Sequence, residues 1–359
     1  GGGGRGMRRV DGAKDLPVAL AEAALEAESS FGNGSVYLER EIRPARHVEV
    51  QLLGDASGEI VAIGERDCSI QRRHQKLVEE APAPGLSVEG RRALHDQAVR
   101  LGRAGGLRNA ATCEFLLAPD GTSYFLEVNT RLQVEHGITE MVAGIDLVRE
   151  QLNLAAGRSL SQWARAAAAR AADPGGHAIE VRISAEDPGR DFAPTPGLVR
   201  HWVMPGGPGV RVDTAIQAGD RVPPEYDNLI AKVMVHAPDR DAAIDRLARA
   251  LGEAEIAGIQ TTLPFHRFVA AHPAFRDANL STEWVQVHWD GAAEVRGAAR
   301  LASIAAGLAG MEWPLVAPVP GPADRLNGSG RAGLGLEDVA LESAWARYAR
   351  EAATDRWPR

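Results

Sequence analysis

The run Glu127-Val-Asn-Thr-Arg-Leu-Gln-Val-Glu135 places acid, amide, guanidinium, amide and acid at alternate positions. Between them stand Val128, Thr130, Leu132 and Val134. Successive side chains of an extended chain point to opposite faces, so all five polar groups project one way over a mostly apolar back. A solvated strand face also alternates, but rarely with this mixture of metal ligand, anion clamp and base. Thr112–Leu117 and Ser123–Asn129 read as two strands joined through Ala-Pro-Asp-Gly, and Asp120-Gly121 is a two-residue hairpin signal. Centring the turn there sets Glu114 opposite Glu127. Directly opposed side chains lie about 5 Å apart at Cβ, where like charges repel. Two such carboxylates share a proton or hold a cation; with Asn129 beside them, the oxygen donors suit Mg²⁺ or Mn²⁺. In a slipped register they are two unrelated surface acids. A straight row from Glu127 to Glu135 would span about 26 Å, so a single compact site requires a bend after Asn129.

The length of 359 residues allows one large domain or two smaller ones. No run of about 18 uncharged apolar residues is present, which argues against a transmembrane helix, and no signal peptide is visible. Cys68 and Cys113 are the only cysteines. That usage fits a reducing compartment, the cytoplasm, and offers neither a disulfide framework nor a zinc site. A net charge of −8 argues against nonspecific nucleic-acid binding. Lysine is scarce: Lys14, Lys76 and Lys232 stand alone among 40 basic residues. An ammonium and a guanidinium are not interchangeable where a point charge is needed. This marks Lys76 as a functional candidate, with chance retention as the alternative.

Gly1 to Gly6 is a glycine-rich loop, followed by an Ala/Glu-rich helix over about 14–30. Val36–Glu39, His47–Leu53 and Glu59–Gly64 read as strands, and Val88–Arg103 as a helix. Met141, Ile145, Val148, Leu152 and Ala155 form one helical apolar stripe ended by Gly157. Ala166–Ala172 is helical or loose, and Ile179, Val181 and Ile183 predict a half-buried strand. Short β runs fill Pro194–Val235, then an amphipathic helix spans Asp239–Glu253 with Asp239 or Asp241 as cap. Beyond about 287 come an Ala-rich stretch, a Pro/Gly linker over Pro314–Gly335 and an amphipathic helix over Leu336–Trp357, where Trp345 and Tyr348 share a face.

Gly1-Gly-Gly-Gly-Arg-Gly6 offers backbone N–H groups that can approach phosphate closely, although a flexible loop or a cloning scar reads the same way. It lacks the Gly-Lys-Ser/Thr ending of a P-loop. The stretch from Glu65 to Lys76 is dense in hydrogen-bonding groups, and Arg72, Arg73 and Lys76 suit an anion. The bland alternative is a solvated polar turn neutralised by Glu79 and Glu80. Taken in order, GGGGRGM, PARHVEVQ, GERDCSIQRRHQKLVEEAPAP, CEFLL, FLEVNTRLQVEHGITEM, HAIEVRISAEDP, PTPG and PPEYDNLIAK carry a resemblance over about residues 1–285. The chain resembles the later part of the biotin carboxylase component of biotin-dependent acyl-CoA carboxylase α-subunits, in the ATP-grasp superfamily.

The resemblance implies an α+β ATP-grasp fold with a partial lid subdomain over residues 1–40, a C-terminal carboxylase subdomain over 41–287 and a linker with a helical tail over 288–359. It implies that Gly3 and Gly4 lie over the ATP phosphates and that Glu39, Arg40 and Ile42 lie beside the adenine. Arg40 stands where the family often has lysine. His47, Gln71 and His74 match nucleotide-pocket positions, and Glu114, Glu127 and Asn129 match the Mg²⁺ or Mn²⁺ ligands. Lys76, Arg131, Gln133 and Val134 match the bicarbonate pocket, Glu135 the general base, and Arg182 an arginine near biotin. The implied reaction is bicarbonate activation by ATP through carboxyphosphate, followed by carboxylation of biotin on a carrier protein. Arg131 would steady the enolate-like ureido oxygen of biotin. The implied partners are a biotin carboxyl carrier domain, the carboxyltransferase of such complexes, and a second copy of the chain in a dimer or larger complex, with no nucleic acid and no membrane.

The resemblance also carries departures. The family's N-terminal subdomain and its nucleotide-binding lysines have no counterpart in this sequence. The chain opens on Gly1 inside a motif, so a natural start upstream is expected. Gly137 replaces a common proline, a change expected to loosen the turn. No lysine lies between two methionines, so the biotinylated lysine is expected elsewhere.

Overall fold

The computed structural model describes residues 6–309. Eight strands, β1 (Arg46–Gly54), β2 (Ile60–Arg72), β3 (Gln75–Ala81), β4 (Asn109–Leu117), β5 (Ser123–Asn129), β6 (His177–Ser184), β7 (Val210–Thr214) and β8 (Leu229–Ala237), form one sheet. Its order is β7-β8-β6-β3-β2-β1-β4-β5, and every neighbouring pair is antiparallel. Eight helices serve the description below: α1 (Leu16–Phe31), α2 (Val88–Ala104), α3 (His136–Ala143), α4 (Leu147–Ala155), α5 (Gln162–Arg170), α6 (Arg240–Glu253), α7 (Leu263–Ala271) and α8 (Gly291–Ala309). Helices segregated from an antiparallel sheet make the architecture α+β, as expected. Helix α8 belongs to a separate compact unit with Gly189–Asp191. The glycines Gly3 and Gly4, the Pro/Gly linker and the helix expected over 336–357 lie outside the described residues.

Strand β1 shows how the sheet sorts its chemistry. Val48, Val50 and Leu52 pack with Ile60, Leu94 and Ala98, which seats α2 on one face. His47, Glu49 and Gln51 point the other way and are also buried. On that second face Leu53, Ile63 and Ala110 pack with Leu147, Leu154 and Ala164 of α4 and α5. A larger cluster joins Ile179, Val181, Val233 and Val235 to Ile244, Leu247 and Phe265 of α6 and α7. Each such side chain contributes about 1.5–3 kcal/mol by leaving water. Ser87, Asp146, Ser161 and Asp239 start α2, α4, α5 and α6, each accepting from a backbone N–H three residues on.

Several expectations need correction. The stripe from Met141 to Ala155 is two helices, because Gly144 takes a left-handed conformation and Asp146 caps a new start. Its Val148 and Leu152 are exposed, while Leu147 and Leu154 face the core. Val36–Glu39 forms no strand. Strand β6 is buried on both faces, including Glu180, because α6 covers one side and the candidate site the other. The hairpin turn is longer than two residues: the Gly121 N–H donates to Ala118 O, and the Ala118 N–H to Thr122 O. Glu114 nonetheless pairs with Glu127, because a bulge between Glu114 and Phe115 absorbs the extra residue.

Candidate active site

The polar faces of β1, β2, β3, β4 and β6 converge beneath the segment that follows β5. That segment leaves the extended conformation after Asn129 and enters α3 at His136, which supplies the expected bend. Gln133 and Glu135 are thereby folded back under cover, while Glu127 and Arg131 stay exposed.

Lys76 is the hub. Its Nζ lies 2.5 Å from Glu49 Oε2, 2.8 Å from Glu135 Oε1 and 3.3 Å from Glu114 Oε1. Burial alone would lower its affinity for the proton, but Glu49, Glu135 and Glu114 hold it well above the usual lysine range. Glu135 bonds through its other oxygen to Arg182 Nη2 at 2.9 Å. Burial would raise the Glu135 carboxyl, yet Lys76, Arg182 and Arg66 keep it far below the ordinary range. Arg182 also donates from Nε to Glu79 Oε1 at 2.6 Å.

Glu114 joins this cluster to the β4–β5 hairpin. Burial raises its carboxyl, but the His47 hydrogen bond at 2.7 Å and the Lys76 charge outweigh that and bring it to about 2. Asn129 Nδ2 donates at 2.9 Å to Glu114 Oε1 and at 2.9 Å to Glu127 Oε1. Gln133 Nε2 adds a 3.0 Å bond to Glu114 Oε1, and Arg131 Nη1 donates to Gln133 Oε1 at 2.8 Å. The point where Glu114 and Glu127 converge is thus met by a donor, the environment a divalent cation would occupy. Glu114 and Glu127 offer the hard oxygen donors that Mg²⁺ and Mn²⁺ prefer, and Asn129 would add its Oδ1 once its amide turned over.

Val134 enters through its carbonyl, which accepts from Lys232 Nζ at 2.7 Å. Gln71 sits across the ladder from Lys76. His74 is exposed in the β2–β3 turn at φ 66, and Glu39, Arg40 and Ile42 lie in an irregular segment whose first two members are exposed. Those four do not join the cluster around Lys76.

The segment from Glu65 to Lys76 is not a solvated turn but largely strand, and Arg66 is fully buried. Arg66 donates to Glu49 Oε1 at 2.5 Å, Gln51 Oε1 at 3.0 Å, Thr139 Oγ1 at 2.9 Å and Thr112 Oγ1 at 3.2 Å. Glu79 turns to Arg182, and Glu80 to His177 and Arg240. Glu49, Arg66, Glu180 and Lys232 are not among the residues the sequence marks as site members, and Glu79 enters there only in the alternative of a neutralised polar turn. The alternation His47-Val-Glu49-Val-Gln51 and the rarity of lysine were the available signals. Gly137 is also more than a loosened turn: a Cβ there would collide with Met234 Sδ, so the space is already filled by methionine.

Two families match the sequence: "Carbamoyl-phosphate synthase L chain, ATP binding domain" over residues 1–163 and "Biotin carboxylase C-terminal domain" over residues 180–287. The chain is 46% identical over 286 residues to a biotin carboxylase of Nostoc sp., covering 80% of this chain and 63% of that protein. It is 45% identical over 285 residues to a pyruvate carboxylase subunit of Methanothermobacter thermautotrophicus, covering 79% and 57%. Among solved structures, the biotin carboxylase–ATP complex of Campylobacter jejuni superposes with a TM-score of 0.76 at 43% identity, covering 80% of this chain and 63% of that one. The biotin carboxylase domain dimer of Hydrogenobacter thermophilus 2-oxoglutarate carboxylase, solved with MgADP and bicarbonate, gives 0.77 at 41%, covering 80% and 62%. The chain therefore spans between 57% and 63% of the length of these relatives.

Proposed function

The chain belongs to the biotin carboxylase family of ATP-grasp proteins, and from that premise we propose that it takes part in the ATP-dependent carboxylation of biotin borne on a carrier domain. The observation that carries this reading is one carboxylate, Glu135, held between two cations, Lys76 and Arg182. That arrangement is a base whose strength depends on what its cations are doing. With both cations bound, Glu135 is too acidic to accept a proton. An anion such as bicarbonate draws Lys76 and the exposed Arg131 toward itself, Arg131 then steadies the enolate-like ureido oxygen of biotin, and Arg182 turns from Glu135 toward the biotin. Stripped of its partners in a buried site, Glu135 becomes the stronger base; it removes the bicarbonate proton as the oxygen attacks the γ-phosphate, the bond to the β-phosphate breaks, and ADP leaves carboxyphosphate behind.

In this reading Glu114, Glu127 and Asn129 hold Mg²⁺ or Mn²⁺, which would offset phosphate charge during the transfer. His47 keeps Glu114 ionised, and Gln133 and Arg131 line the anion pocket. Gly3, Gly4, Glu39, Arg40, Ile42, Gln71 and His74 serve the nucleotide. We assign the carboxyl acceptor to an acyl-CoA, delivered through a carboxyltransferase. Support comes from 43% identity over 298 residues to an acyl-coenzyme A carboxylase alpha3 subunit of Mycobacterium leprae. A pyruvate acceptor is the second reading, favoured by the 45% identity to the pyruvate carboxylase subunit of Methanothermobacter thermautotrophicus. Partners are the carrier domain and a second copy of the chain.

The test is biotin- and bicarbonate-dependent ADP release with Mg²⁺. The chain is assayed alone and with the unmatched part of a relative supplied as a separate polypeptide. Activity that disappears in Glu135→Gln supports the reading. A folded chain that is silent in both arms overturns it.

A further inference from the structure

Strand β3 presents Glu79 and β6 presents Glu180 as direct partners in the antiparallel ladder. Both side chains are 0% exposed. Glu79 Oε1 accepts from Arg182, but Glu79 Oε2 and both oxygens of Glu180 have no hydrogen-bond partner among the described residues. Three orphaned carboxylate oxygens at one place are costly, because a buried unpaired charge loses its hydration without recompense. Lys232 does not relieve Glu180. Its Nζ is 3.9 Å away and is engaged with Val134 O at 2.7 Å and Asp213 Oδ2 at 3.3 Å.

The charges around the pair point to the remedy. Five buried carboxylates, Glu49, Glu79, Glu114, Glu135 and Glu180, meet four basic side chains, Arg66, Lys76, Arg182 and Lys232, with His47 also on Glu114 and Asp213 also on Lys232. Arg66 and Lys76 serve Glu49, Lys76 reaches Glu114, and Lys76 and Arg182 share Glu135. Arg182 serves Glu79, and Glu180 is left without a donor. We propose that Glu79 and Glu180 share one proton, held on Glu180, so that this strand pair faces Arg182 as a single negative charge. A neutral carboxyl is also a donor, which supplies a bond the orphaned oxygens lack. Burial, followed by the Glu79 charge, pushes Glu180 well above the usual carboxyl range; burial raises Glu79 to about 7 against the pull of Arg182. The groups facing the pair are Arg182 beside Glu180 on β6, Lys232 on β8, Lys76 on β3 and Glu135 ahead of α3. The shared proton itself does not depend on what the chain catalyses. Its consequence rests on the proposed carboxylation: a neutral Glu180 leaves the charge of Arg182 to Glu135 and the incoming substrate.

The sign of the linkage sets the experiment. A carboxyl raised in the folded state carries no penalty below its unfolded pKa of about 4.3, and stability is lost as pH rises from there toward the folded value. Glu180→Gln mimics the neutral acid and removes that loss. Urea unfolding of the full chain and of Glu180→Gln is compared from pH 4 to 8. The wild-type folding constant is expected to fall about tenfold per pH unit relative to the variant above about pH 4.3, with the two converging at acid pH. Infrared spectra at neutral pH are expected to show a carboxylic acid carbonyl band that shifts in D₂O and is missing from Glu180→Gln. Parallel stability curves, or a wild-type spectrum without that band, would overturn the shared proton. If the variant does not fold, the wild-type spectrum decides alone. Neither measurement uses ATP or biotin, so a failed carboxylation assay leaves this test standing.

Discussion

Glu127 and Glu135 stand at the two ends of the same nine-residue run, in opposite surroundings. Glu127 projects from the edge strand β5, is exposed, and accepts a hydrogen bond from the Asn129 amide. Glu135 is fully buried and bonded to two cations fixed on β3 and β6. The interior end is assembled by the fold itself, because a buried carboxylate without cations would not stay ionised. The edge end has no such requirement: Glu127 stands in water, while its partner Glu114 is buried against His47 and Lys76. In the proposed reading, such a site has a preorganised base at its interior end and a rim at which a metal ion would bind.

The sharpest way to break that contrast is to remove the interior base. Glu135→Gln is expected to lower bicarbonate-dependent ADP release by about 10²–10⁴-fold, the usual span for a positioned general base. A loss under about tenfold would mean that the buried end is structural. Next in size is Arg66, which braces Glu49 from behind Lys76 and makes four bonds in full burial. Arg66→Met removes one partner of a buried ion pair and is expected to cost about 3–5 kcal/mol in urea unfolding. If stability hardly changes, the interior charges are not what sets that end of the row. At the rim the balance reverses. Glu127→Gln is expected to shift stability by less than about 0.5 kcal/mol. It should weaken Mn²⁺ binding on the order of tenfold, since one of two carboxylate ligands loses its charge. A Mn²⁺ titration followed by electron paramagnetic resonance reads this directly, and unchanged affinity would take Glu127 out of the metal site.

The same contrast explains what the sequence discloses. Alternation marks Glu127, Asn129, Arg131, Gln133 and Glu135 as one set; strand geometry holds only to Asn129, and beyond it hydrogen bonds through Glu114 and Lys76 tie the set together. Helix α2, strand β5 and the Asp239 cap are legible because their patterns are local, whereas the α+β class is what the resemblance implies. Local patterns cannot say what lies on top of a polar strand face. His47-Val-Glu49-Val-Gln51 reads like a surface strand, and only the packing of α3, α4 and α5 over that face buries it. Glu79 and Glu180 lie about a hundred residues apart in sequence, and no periodicity announces their meeting in the ladder. The apolar stripe runs through Gly144 without a periodicity break, so only the left-handed backbone in the structure divides it.

The smallest effect tests the turn that closes the edge hairpin. Gly121 closes the β4–β5 turn at φ +82, and a Cβ there would meet nothing within 4 Å. The cost of Gly121→Ala is therefore backbone strain alone, about 1 kcal/mol, since a left-handed conformation disfavours any Cβ. Gly252, in the last turn of α6, has the same open space but no left-handed backbone. There Ala is expected to stabilise by up to about 1 kcal/mol, because glycine is the poorer helix former. Opposite signs for the two substitutions in urea unfolding would show that the turn needs glycine for its conformation and not for its packing. Equal signs would mean that backbone strain at Gly121 is not what holds the turn.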